Sequence, residues 1–170
     1  MFKRKNVVIA FLLVAVLVMS VGFAAVSVNL KVNAKATTGE DALDNAFESL
    51  VGFTASQLGT CKGATVTGNE ATYDYENEVS FTASGFAKKG DTAVVVFTVT
   101  NDHPDLAADL SAISVTPADN VNFKATAELS ANELAADGGT ATVTVTVEMI
   151  ETPTADVTVD FVVGFTATAK

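Results

Sequence analysis

The chain has 170 residues, with 20 acidic side chains against 10 basic ones, one histidine, one cysteine and no tryptophan. A net charge of −10 repels phosphate backbones and anionic lipid, which argues against nucleic-acid binding and against electrostatic docking to a membrane. A single cysteine excludes an internal disulfide framework.

Lys3, Arg4 and Lys5 precede an apolar run from Val7 to Val18, and small residues follow at Ser20, Gly22, Ala24 and Ala25. This layout predicts a secretory signal peptide over residues 1–24 and an exported protein. Gly22 and Ala24 stand two apart, as the small pockets of a signal peptidase require, so cleavage is expected between Ala24 and Ala25; Ser20 with Gly22 is the second choice. The rival reading is a retained membrane anchor, because no charge occurs between Asn6 and Leu30 and about 20 apolar residues can cross a bilayer. Without residues 1–24, seven basic side chains face twenty acidic ones, a net charge of −13, and no arginine is left.

The stretch "AVSVNLKVNAKAT", residues 25–37, alternates. Val26, Val28, Leu30, Val32 and Ala34 point one way, and Ser27, Asn29, Lys31, Asn33 and Lys35 the other, the pattern of a strand with one apolar face. Standing directly behind a leader, it is expected to pair with another molecule as a donor strand, with residues 38–170 forming the body that receives it. The plainer reading is an ordinary first strand paired within its own sheet. Lys31 and Lys35, on the polar face, are candidates for a covalent link between subunits, or solvated lysines that discourage wrong edge pairing.

The period then changes. In "TTGEDALDNAFESLVG", Leu43, Phe47, Leu50 and Val51 share a helical face, Thr38 with Asp41 resembles a capping box, and Gly52 can close the end, which predicts a short amphipathic helix over an open end or edge of a sheet. Cys61 reads as a small, partly buried apolar residue, with an intermolecular disulfide as the alternative.

From Ala64 onward, strands and turn residues alternate. Residues 64–67 and 71–75 flank "GNE" as a hairpin. Val79 to Ser84 alternates, "KKGD" turns, and Thr92 to Thr100 carries the continuous apolar run Val94–Phe97 expected of a central strand covered on both sides. Leu110 to Thr116 and Val121 to Leu129 read as strands, "SANELAADGG" as a helical turn or loop, "TATVTVTVEMI" as a strand. Asp156 to Ala169 reads as a long last strand with a bulge at Gly164. The recurring "GFTA" at Gly52 and Gly164 lacks the longer period of a true repeat. The whole predicts an all-β protein, an antiparallel β-sandwich of jelly-roll or Ig-like type with a short helix near its N-terminus.

Catalytic patterns are sparse. His103 would have to serve any Ser-His-Asp or Cys-His site and sits in a Pro-containing turn. No helix carries two histidines around a glutamate, and no phosphate loop occurs. Asn101, Asp102, Asp105 and Asp109 are oxygen-rich, but their spacing matches no EF-hand loop and is what a turn selects. No enzyme activity, metal or cofactor is expected.

Taken in order, the leader ending "VGFAA", the strand "AVSVNLKVNAKA", the block "KKGDTAVVVFTVTND" and the final "ADVTVDFVVGFTATA" resemble the TasA/camelysin family of exported biofilm-matrix fibre proteins. The resemblance implies a jelly-roll-like sandwich, release by a dedicated signal peptidase, contact with the membrane only through the leader, and self-association into filaments. In these the N-terminal strand of one subunit completes the sheet of the next, with Val26, Val28, Leu30 and Val32 filling the neighbour's groove. Camelysin-like members have also been described as metallopeptidases, an activity for which this chain shows none of the ligands.

Overall fold

Alternation of Val, Ala and Phe with Thr and other polar residues gives strands with one apolar face, and two sheets bury these faces against each other. The structure, a computed structural model, describes residues 26–37, 44–117 and 120–170. In chain order the elements are β1 (Val26–Thr37), α1 (Asp44–Leu50), β2 (Val51–Leu58), β3 (Thr65–Thr67), β4 (Thr72–Glu76) and β5 (Glu78–Ser84). There follow β6 (Thr92–Asn101), β7 (Ala108–Leu110), β8 (Ser114–Thr116), β9 (Phe123–Leu129), β10 (Glu133–Leu134), β11 (Gly139–Met149) and β12 (Val157–Ala169). One sheet runs β10-β7-β12-β1-β5-β3, with β8 also on β12, and the other runs β4-β2-β6-β11-β9. The protein is an all-β sandwich. Its strand pairs are antiparallel except β1 with β12, which run parallel.

Aromatic rings join the layers. Phe97 of β6 is fully buried, with Phe53 of β2 at 5.8 Å and Phe81 of β5, from the opposite sheet, at 6.0 Å between ring centroids. Phe53 and Phe165, one from each "GFTA", meet edge to face across the sandwich at 5.9 Å. The shared composition thus marks two strands that face each other.

Several expectations are corrected. The hairpin around "GNE" is absent: β3 pairs with β5 in one sheet and β4 with β2 in the other, so these residues cross between layers. The helix ends at Leu50, and Val51 and Gly52 begin β2 instead of closing it. Gly52 is needed for closeness, since a Cβ there would lie 2.4 Å from the carbonyl oxygen of Tyr75. Thr38, Asp41 and Leu43 lie outside the described residues. The expected strand from Leu110 to Thr116 is two short ones on the same edge of β12, β7 at Ala167–Ala169 and β8 at Val162–Gly164. Between them Ser111 bonds to Thr166, its N–H donating to the Thr166 carbonyl and its Oγ accepting from the Thr166 N–H, both at 2.8 Å. The turn expected after Leu129 contains the two-residue β10.

Gly164 carries no bulge on the β1 side, where its ladder runs unbroken through Asn33. The irregularity lies in β2, between Phe53 and Ala55. β6 is central, as its apolar run suggested, but Val94 and Val96 are only half-buried on the outer face.

The "KKGD" corner is tightly made. The buried Asp91 carboxylate accepts from the N–H groups of Ala87 (2.9 Å) and Lys88 (3.0 Å). Gly63, at φ +70°, packs so close that a Cβ would lie 2.4 Å from the Asp91 carboxyl carbon. The Ala87 N–H bond, then that of Lys88 and the charges of Lys88 and Lys62, outweigh burial and hold the Asp91 carboxyl below the ordinary aspartate value. A lowered folded-state pKa contributes stability above the unfolded-state value and loses it as pH falls through the folded one. Asp91→Asn is therefore expected to lower the melting temperature at pH 7, with the gap to the parent closing below about pH 4. Melts over a pH series check this; a gap independent of pH would mean that the carboxylate charge contributes nothing.

Candidate functional site

β1, the strand expected to act as a donor, occupies the middle of the seven-stranded sheet. Val26–Thr37 pairs residue for residue with Val157–Thr168 of β12 on one edge, and Ser27–Asn33 pairs with Ser84–Glu78 of β5 on the other. Its alternation then decides which side chains enter the core. Val28 and Val32 are fully buried and Ala34 is 5% exposed. Val28 lies between Val159 and Ala83, and Val32 between Val163 and Val79. Gly22, Ala24 and Ala25 lie outside the described residues, as do the side chains of Val26, Leu30 and Lys35.

Val28, Val32 and Ala34 of the predicted donor face are thus seated, and their seat is in their own chain. Residues 26–37 of the expected donor share one sheet with β5 and β12 of the expected receiver. β1 fills the space between β5 and β12, and among the described residues no other strand joins these two within the sheet.

The outer face carries a polar ladder. The Asn29 amide N–H donates to Asp160 Oδ1 at 3.1 Å, and its oxygen accepts from Thr82 Oγ1 at 3.1 Å, so one side chain ties all three strands. Ser27 Oγ lies 3.4 Å from Thr158 Oγ1. Lys31 Nζ bonds Glu78 Oε1 at 2.8 Å, and this carboxylate raises the lysine pKa. Asn33 Oδ1 is buried without a hydrogen-bond partner. Sequence reading placed Asn29 on the polar face and no further, because its partner Asp160 is 131 residues away.

The other singled-out residues have local duties. Cys61 is half-buried, and its sulfur accepts from the Val94 N–H at 3.4 Å. His103 is buried, tilted against Phe47, and its Nδ1 accepts from the N–H groups of Asp105 (3.2 Å) and Leu106 (3.0 Å), which places its proton on Nε2. Fully buried Asn101 donates to the carbonyls of Leu106 and Ala135 and accepts from the His103 N–H. Asp102 accepts from the Tyr75 hydroxyl, and Asp109 pairs with Lys170 at 3.4 Å. The oxygen-rich run is thus dispersed into turn and strand contacts, and among the described residues no group of three or more His, Cys, Asp or Glu is placed to hold a metal.

No protein-family model matches the chain, and no curated protein matches it. Among the described residues no helix is long and apolar enough to cross a membrane.

Proposed function

We propose that the protein is the structural subunit of an extracellular fibre or pilus of the biofilm-matrix kind, released by a signal peptidase and polymerised head to tail by donation of residues 25–37 to the next subunit. The observation that carries this reading is the position of β1: the first described strand, at the centre of the sheet and paired on both edges. Every contact β1 makes with β5, β12 and the core is the same whichever copy supplies it. A swap therefore costs no native contact, and a head-to-tail swap that does not close on itself yields a filament. The order of parts shared with the TasA/camelysin family supports the same reading.

A second reading is a monomeric, Ig-like surface binding module held at the membrane by an uncleaved leader. What favours it is that β1 already fills its own sheet. Electron microscopy of the secreted protein, with N-terminal sequencing of the same sample, separates the two. Fibres whose subunits begin at Ala25 are the expected result, and Ala24→Phe, which blocks cleavage, should leave monomers at the membrane. Normal fibres from that variant, or a mature protein that stays monomeric when refolded from denaturant at high concentration, would overturn the proposal.

A further inference from the structure

An alternating strand has a weakness as a plug. A slip of one residue turns its apolar side chains outward and is excluded, but a slip of two restores the alternation. If β1 advances two residues toward its C-terminal end, Val26 takes the seat of Val28, Leu30 that of Val32, and Val32 that of Ala34. The inner face stays apolar throughout. On the outer face Lys31 moves from opposite Ser80 to opposite Glu78, the carboxylate it already contacts, so this ion pair does not tell the two registers apart. Asn29 does. Ser27 would stand in its place between Asp160 and Thr82, and a serine hydroxyl is too short to bridge both.

We infer that Asn29 sets the register of β1, through its paired bonds to Asp160 of β12 and Thr82 of β5. It makes the groove specific for this strand in this alignment. The inference holds for a strand supplied by the same chain, and its role between subunits rests on the exchange reading above.

The test uses the full chain carrying Cys61→Ala and pairs of new cysteines, oxidised and separated on a non-reducing gel. Directly opposed residues of an antiparallel pair have Cα atoms about 4.5–5.5 Å apart, within disulfide reach, whereas a two-residue offset puts them beyond about 7 Å. Ser27→Cys with Ser84→Cys reports the native register. Lys31→Cys with Glu78→Cys reports the advanced one. With Asn29 intact, the first pair is expected to close and the second to stay open. Adding Asn29→Leu should raise the yield of the second pair relative to the first by about tenfold, as the loss of a charge-assisted and a neutral hydrogen bond implies. Asp160→Leu combined with Thr82→Val, which leaves β1 itself unchanged, should do the same. If neither set of variants shifts the ratio, Asn29 does not set the register. The size of the linked product separately shows whether one chain or two are joined, so the exchange reading is judged on its own.

Discussion

A chain lacking residues 26–37 is expected to remain unfolded on its own and to recover its β-structure when a peptide of residues 25–37 is supplied in trans. Burial of Val28 and Val32 is worth about 1.5–3 kcal/mol each. If the two ladders hold on the order of ten hydrogen bonds at about 1 kcal/mol each, the strand contributes roughly 13–16 kcal/mol before ordering costs. That is as large as the whole net stability of a typical domain, about 5–15 kcal/mol. Its loss also leaves β5 and β12 with facing open edges, a template for aggregation. Circular dichroism with and without the peptide checks this. A truncated chain that melts cooperatively alone, with no response to the peptide, would show that the sheet closes without β1.

Phe97→Ala is expected to cost about 3–5 kcal/mol, the range for removing a fully buried phenylalanine, and to lower the melting temperature by on the order of 10 °C. The ring is where the layers interlock. It touches Phe53 and Tyr73 from its own sheet and Phe81 from the other, so truncation removes contacts on both sides of the interface. Val94→Ala, on the half-buried outer face of the same strand, should cost far less, and the pair of melts separates core packing from strand propensity. Equal losses would mean that Phe97 is not the centre of the interface.

The alternation that predicted β1, β5, β9 and β11 was legible because each of these strands has one apolar face, and the structure buries that face. What escaped reading was pairing. Thr65–Thr67 and Thr72–Glu76 are strands as expected, yet "GNE" between them carries the chain from one sheet to the other, and a turn sequence does not say whether the two strands it joins share a layer. Val94–Phe97 looked covered on both faces because valine and phenylalanine are favoured in strands wherever packing is good, whether or not the outer face is closed. The parallel partner of β1 is 131 positions further along the chain, and no local signal points to it. For the same reason the two bonds of Asn29 were invisible, whereas Val28, Val32 and Ala34 could be named from spacing alone.

The central position of β1 also bears on timing. An edge strand can peel away at little cost, but a strand held on both sides leaves only by an opening comparable to global unfolding, so a finished monomer trades partners slowly. On the fibre reading proposed above, strand exchange therefore belongs to the brief interval before a chain closes on itself. On that reading the tethered strand competes at an effective concentration in the millimolar range, and the local concentration of unclosed chains decides between self-closure and joining. Refolding from denaturant should follow the same rule, with dilute samples giving inert single molecules and concentrated ones giving polymers.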